Sequence, residues 1–211
     1  MIKILIVDDH AIVRDGLKRI INETSGMKVV AEAENGQIAL DIIYNKVSID
    51  FVILDISMPG RSGLDILKDI KIYNDEISVL MLSMHAQDQY AIRTLKAGAS
   101  GYLTKESAST LLVEAIRKIH QGGKFISDKV AELLAVNLND KKVNFLHEIL
   151  SDREYQVMIM IASGKTVIKI SKELILSDKT ISTYRARILE KMKLKSNSEI
   201  TRYAFSNKLI E

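Results

Sequence analysis

The 211-residue chain has no cysteine, which excludes disulfides, thiolate zinc sites and thiol nucleophiles. It has one proline, Pro59. A chain so poor in proline is expected to be compact and mostly regular, and that one residue needs a local reason. No apolar run approaches the roughly 18–20 residues of a membrane-spanning helix; the longest, such as Val157–Ala162, are the size of core segments. Met1–Val7 lacks a basic flank and runs into acid at Asp8 and Asp9, so a first strand is expected there rather than a signal peptide. A cytoplasmic protein that makes no use of a membrane is the expectation.

What is present is ordinary in amount and uneven in place. A hydrophobic share of 47% and a charged share of 27% suit a globular chain of one to two domains. The net charge is only +3, yet residues 1–124 carry 15 basic against 16 acidic side chains, while residues 148–211 carry 12 against 8. Ser177–Ser196 alone holds 6 against 2. A near-neutral front and a basic tail imply two domains with different partners.

The first 120 residues alternate two patterns. Apolar, β-rich runs occur at Ile2–Val7, Lys28–Ala31, Phe51–Leu54, Ser78–Leu82 and Gly101–Leu103, with amphipathic stretches between and after them at Ile12–Ile21, Ile38–Tyr44, Leu64–Ile72, Tyr90–Lys96 and Leu111–His120. Runs that are apolar throughout suit strands covered on both faces. The expected fold is an α/β doubly wound, five-stranded parallel sheet, whose ligands bind beyond the carboxyl ends of the strands. Gly122-Gly123 ends the last helix, and 123–147 reads as a partly helical linker with a short helix over 128–138. From Asp152 onward four short helices are expected. Ser151 with Glu154 has capping-box spacing, Gly164 closes the first helix, Ser177 or Asp178 opens another, and Ser196 or Asn197 opens the last. The division is thus 1–122, 123–147 and 148–211.

Asp8 and Asp9 follow the first strand and Asp55 follows the third, so a parallel sheet brings three carboxylates to one edge. They repel unless a cation lies between them, and a hard divalent ion such as Mg2+ prefers oxygen ligands. Ser83 ends the fourth strand, and Thr104-Lys105 ends the fifth. Carboxylates, a divalent cation, a lysine and a hydroxyl suit phosphoryl transfer with one carboxylate as nucleophile. An aspartyl-phosphate phosphohydrolase would use the same chemistry. Against it, Ser57 stands two residues after Asp55, where a second acid would act as general acid–base.

The runs Ile6-Val7-Asp8-Asp9-His10, Leu54-Asp55-Ile56-Ser57-Met58-Pro59, Leu82-Ser83 and Lys96–Lys105 resemble a bacterial response-regulator receiver domain over residues 1 to about 122. The resemblance implies that Asp55 is the phosphoacceptor and that Asp8, Asp9, Asp55 and the Ser57 backbone carbonyl hold Mg2+. It further implies that Lys105 pairs with the acyl phosphate, Ser83 bonds the phosphoryl group, and Tyr102 rotates inward with it. Glu106 follows the lysine where many receivers carry proline.

In the tail, Thr166–Leu174 and Asp178–Met192 read as two helices joined by Ile175-Leu176-Ser177, a helix-turn-helix with a basic second helix. Ile181, Ile188, Leu189 and Met192 make an apolar stripe at helical spacing, expected to be core. Leu150–Glu154, Gly164, Ile170, Leu174, Ser177, Thr180-Ile181-Ser182 and Lys191–Leu194 resemble the LuxR-type helix-turn-helix, and the whole chain resembles a NarL/FixJ-type response regulator. By that resemblance Ser182, Thr183 and Ala186 face base edges with Arg187 nearby, and Lys179, Thr180 and Lys191 contact phosphates of double-stranded DNA. A sensor histidine kinase would phosphorylate Asp55, a homodimer would form on activation, and no catalysis beyond the receiver's own phosphoryl transfer and dephosphorylation is implied. A DNA-binding regulator acting without phosphorylation is the alternative. Val167-Ile168 puts apolar residues at a helix start that is usually polar in that family, either packing against the linker or the receiver or forming an interaction surface.

Overall fold

The computed structural model describes residues 1–45, 47–84, 88–128, 130–132, 145–207 and 209–210, the side chains of Asp88 and Gln89 excepted. Contacts divide the chain into two compact units, Met1–Val136 and Asn137–Glu211. The middle of the expected linker, residues 133–144 with the second half of its helix, lies outside the described residues. No helix among the described residues is long and apolar enough to cross a membrane.

In the first unit, strands β1 (Ile2–Val7), β2 (Met27–Ala33), β3 (Phe51–Asp55), β4 (Ser78–Ser83) and β5 (Gly101–Thr104) form one sheet of order β2-β1-β3-β4-β5. Every neighbouring pair is parallel. Helices α1 (Ala11–Asn22), α2 (Gly36–Tyr44), α3 (Gly63–Tyr73), α4 (Asp88–Lys96) and α5 (Lys105–His120) follow the strands in turn. The α/β reading of the alternating sequence is therefore the observed architecture. β3 is buried along its whole length, as a strand covered on both faces must be. Ile4, Ile6, Phe51, Ile53, Leu80 and Leu82 on one face of the sheet pack with Leu17 and Ile21 of α1 and Leu112, Ile116 and Ile119 of α5.

Helix α5 starts at Lys105, six residues before the amphipathic stretch in the sequence. Thr104 ends β5 and also caps α5, its hydroxyl accepting from the Ser107 N–H at 3.1 Å. Glu106 in the first turn complements the positive end of the helix dipole, so a proline is not needed to start it. Pro59 lies in the β3–α3 loop ahead of the α3 cap, Ser62, a place for a fixed backbone angle rather than the first position of the helix.

In the second unit a short 3-10 turn, Leu146–Ile149, precedes α6 (Asp152–Ala162), α7 (Val167–Leu174), α8 (Asp178–Met192) and α9 (Asn197–Ser206). His147 is buried and stacks near Phe145 and Tyr155, and its Nδ1 lies 2.9 Å from the Tyr203 hydroxyl of α9. The Ser151–Glu154 capping box is formed in full. Ser177 caps α8 and Ser196 caps α9. Ile181, Ile188 and Met192 are buried, whereas Leu189, expected with them in the core, is half-buried.

Glu154 ties two of these helices. Its Oε2 accepts from the Ser151 N–H at 2.8 Å and pairs with Lys191 Nζ of α8 at 2.7 Å. Burial alone would raise its carboxyl pKa, but the Lys191 ammonium and the Ser151 N–H outweigh burial and hold it below the ordinary value. A lowered folded-state pKa contributes stability that is present above the unfolded value and is lost as pH falls through the folded one. Glu154→Gln should therefore cost about 1–3 kcal/mol at pH 7, with the difference from wild type shrinking towards pH 3. Thermal melts of the second unit's transition across that range check it; a constant difference would assign the loss to packing alone.

Candidate functional site

Register places the pocket. Val7 pairs with Leu54 and Asp55 with Leu82, while Ser83 pairs with Thr104. The next residues along β1 and β5, Asp8 and Lys105, therefore emerge beside Asp55 and Ser83. The sheet order turns about β1, with β2 on one side and β3 on the other, and the crevice beyond the β1 and β3 ends is where such sheets bind ligands.

Asp8 and Asp55 are fully buried, and Ser83 is nearly so. Lys105 Nζ stands 2.7 Å from Asp8 Oδ2 and 2.7 Å from Asp55 Oδ2. The Ser57 N–H donates to Asp55 Oδ1 at 3.1 Å. Burial and then the neighbouring Asp8 charge push the Asp55 carboxyl above its ordinary value, against the pull of Lys105 and the Ser57 N–H. Burial acts to lower the Lys105 pKa, but the two carboxylates outweigh it and raise the ammonium's pKa. The pocket thus holds three carboxylates, counting half-buried Asp9, against one ammonium. That surplus of negative charge on oxygen donors fits a divalent cation, and one ligand atom from each of Asp8, Asp9, His10 and Asp55 lies within 4.8 Å of the others. Tyr102, on β5, is buried already.

Two residues at this edge were not among those picked out from the sequence. Arg14 of α1 donates from Nη1 to the Asp8 carbonyl at 2.7 Å, bracing the turn that carries the acid pair. His10 Nδ1 lies 3.2 Å from Asp8 Oδ1 and 2.9 Å from Asp9 Oδ1. The only signal for His10 is its place directly after two carboxylates. Nothing local marks Arg14.

In the second unit, Lys179, Ser182, Thr183, Ala186, Arg187 and Lys191 are exposed on α8, and Thr180 is half-buried. Ser182, Thr183, Ala186 and Arg187 form one outward surface opposite the buried Ile181, Ile188 and Met192. Thr180 is drawn into the cap, its hydroxyl 2.8 Å from that of Ser177. The Thr183 hydroxyl bonds back to the Lys179 carbonyl at 2.9 Å. Lys191 is engaged by Glu154, so a phosphate would have to share its ammonium. The α7–α8 turn passes through Ile175 in the left-handed region, with φ 50°, costing a β-branched residue about 1–2 kcal/mol. A bond from the Ser171 hydroxyl to Asp178 ties the two helices across it. Val167 is half-buried and Ile168 is 58% exposed, so only the first turns inward within the described residues.

Residues 4–117 match the family model described as the response regulator receiver domain, and residues 148–204 match that of the bacterial regulatory proteins of the luxR family. The chain is 36% identical over 210 residues to the response regulator UvrY of Escherichia coli K12, covering 99% of this chain and 96% of that one. It is 35% identical over 212 residues to the response regulator GacA of Pseudomonas syringae pv. syringae, covering 100% and 99%. Among solved structures, RcsB of Salmonella enterica serovar Typhimurium, bound to the promoter rprA in the presence of the phosphomimetic BeF3-, matches with a TM-score of 0.65 and 26% identity. That match covers 96% of this chain and 97% of that one.

Proposed function

The chain belongs to the two-component response regulators that join a receiver domain to a LuxR-type DNA-binding domain, and on that premise we propose that phosphorylation of Asp55 governs its binding to promoter DNA. The observation that carries this reading is the Lys105 ammonium, held 2.7 Å from both Asp55 and Asp8 at the β1/β3 crevice. The Asp55 carboxylate takes the phosphoryl group from the phosphohistidine of a sensor kinase, the histidine nitrogen leaving as the P–O bond forms. Lys105 neutralises charge on the phosphoryl oxygens. Mg2+ held by Asp8, Asp9, Asp55 and the Ser57 carbonyl would supply further neutralisation. The Ser83 hydroxyl at the end of β4 then bonds the phosphoryl group beside Tyr102 of β5, whose ring is packed inward already, a two-state change driven by new charge-assisted bonds.

In this reading residues 1–122 act as the phosphoacceptor domain and 148–211 as the DNA-binding domain, in a cytoplasmic protein that dimerises on paired half-sites when phosphorylated. With Ser57 in place of a second acid, Asp55 turns over only its own phosphate and the chain is no phosphohydrolase. Ser182, Thr183 and Ala186 face base edges with Arg187, while Lys179, Thr180 and Lys191 lie towards the phosphates.

Selection of binding sites from random duplexes, with and without acetyl phosphate and Mg2+, tests this. Paired half-sites bound more tightly after phosphorylation are expected; identical sites and affinities in both arms would favour a regulator that works unphosphorylated. On the selected site Arg187→Ala should weaken binding by about 1–3 kcal/mol. Unchanged affinity and salt dependence would mean that another face of α8 meets the DNA.

A further inference from the structure

Arg14 is the fourth residue of α1 and is half-buried. Side chains on a helix lean towards its N-terminus, so a long one at the end of the first turn reaches back over the residues that lead into the helix. Its Nη1 comes to rest 2.7 Å from the Asp8 carbonyl oxygen. The guanidinium therefore places its charge on a backbone carbonyl, while the Asp8 carboxylate faces Lys105 and that of Asp9 faces the His10 ring.

We propose that Arg14 is a positioning residue for phosphoryl transfer. By gripping the Asp8 carbonyl it sets the peptide plane between Asp8 and Asp9, and with it the direction in which Asp9 presents its carboxylate. The inference rests on the phosphoacceptor reading above and adds to it a residue that acts on the acid pair from behind. The rest of Asp8 is held from elsewhere. Its N–H donates to the Ala33 carbonyl at 3.1 Å, Oδ1 accepts the His10 N–H at 2.9 Å, and Oδ2 lies 2.7 Å from Lys105 Nζ. None of these contacts touches the carbonyl. That carbonyl and the Asp9 N–H belong to one planar unit, so a carbonyl free to turn would swing the Asp9 α-carbon with it. A guanidinium suits the task, because its charge-assisted bond is about twice as strong as a neutral one and its planar fork fixes a direction that an ammonium does not. Two effects of Arg14 on a cation beside the acid pair have opposite signs. As a bare positive charge it repels the ion, and its loss strengthens binding; as a positioning group its loss weakens binding.

The test titrates the full chain with Mg2+ by calorimetry and measures labelling by acetyl phosphate over the same Mg2+ range. Wild type, Arg14→Met, Arg14→Gln and Arg14→Lys are compared after circular dichroism has confirmed that each is folded. Lys18→Met is the control, since Lys18 lies one turn further along α1 and pairs with Glu32 of β2. Arg14→Met should weaken Mg2+ binding about tenfold or more, the usual scale for groups that orient metal ligands. Half-saturating Mg2+ for labelling should rise by the same factor, while the plateau rate and the KM for acetyl phosphate change less than about threefold. Arg14→Gln, too short to reach the carbonyl, should match it and decides the matter if the methionine variant does not fold. Arg14→Lys keeps the charge and a donor and should recover most of the loss, and Lys18→Met should bind Mg2+ as wild type does. Tighter Mg2+ binding on loss of Arg14 would show that its charge dominates and overturn the proposal. Unchanged affinity in a folded Arg14 variant, or an equal loss in Lys18→Met, would overturn it as well, leaving the acid pair's own role intact. Wild-type labelling that needs no Mg2+ would overturn the reading of the site and the proposal with it.

Discussion

Replacing Asp55 with asparagine should end phosphoryl incorporation from acetyl phosphate and, at the same time, make the receiver more stable. The loss of transfer follows from chemistry, since a carboxamide is no nucleophile towards phosphorus and none of the surrounding groups stands in its position. The gain in stability follows from environment. Asp55 is fully buried and shares the crevice with Asp8, and its carboxyl pKa is raised chiefly by that burial. A raised pKa means that the folded state binds the proton more tightly than the unfolded chain, so stability falls as pH rises from the ordinary carboxylate range through the folded value. At pH 7 the ionised Asp55 opposes folding, and asparagine relieves it while Lys105 keeps its 2.7 Å pairing with Asp8. The trade is a common one where an active site holds charge for its chemistry. A rise of several degrees in the receiver's melting temperature is expected, the scale of about 1 kcal/mol in a domain of this size. The difference should close as pH falls towards 4. Labelled acetyl phosphate and melts from pH 4 to 8 read both effects. Full labelling of the variant would move the acceptor elsewhere, and a lower melting temperature at pH 7 would show that attraction to Lys105 outweighs burial.

The same pocket shows which features a linear reading can reach. Strand ends were legible because β3 and its neighbours are apolar until they meet a carboxylate, a hydroxyl or a lysine, and in a parallel sheet those ends share an edge. The start of α5 was not, because Ser107-Ala108-Ser109-Thr110 shows no apolar period, and one residue, Thr104, serves as both strand end and cap. The α7–α8 connection is legible as a turn, but its left-handed residue is Ile175, where neither glycine nor asparagine advertises the conformation. Pairings distant in sequence stayed hidden for another reason. Lys191 and Glu154 are 37 residues apart, so an exposed basic helix face gives no hint that one of its lysines is engaged by a buried acid. His10 follows the acid pair in the sequence, but only side-chain geometry brings its Nδ1 to the aspartates.

Gly63→Ala should be the most disruptive single-methyl change near the pocket. Gly63 is the first residue of α3, and its N–H donates to the Ile56 carbonyl at 3.0 Å, laying the helix start directly on the end of β3. A Cβ there would lie 2.0 Å from the Asp55 carbonyl oxygen and 2.9 Å from both the Asp55 carbonyl carbon and the Ile56 Cα. All three are backbone atoms, so no side-chain rotation relieves the overlap, and either α3 or the end of β3 must move. Overpacking of this kind costs about 1–3 kcal/mol where side chains can yield; against rigid backbone about 3 kcal/mol or more is expected. The displaced segment carries Asp55, and a shift of about 1 Å in a reacting group can slow chemistry about a hundredfold. Phosphorylation should therefore fall by about that factor even in the folded fraction. Gly60→Ala, in the same loop, separates the causes. Its φ is 78° and a Cβ there meets nothing within 4 Å, so it should cost only the roughly 1–2 kcal/mol of left-handed strain and leave the Asp55 backbone in place. Urea denaturation and labelling rates of the two variants decide the matter: equal stability losses would show that backbone conformation, and not the close approach of α3 to the Asp55 carbonyl, governs this loop.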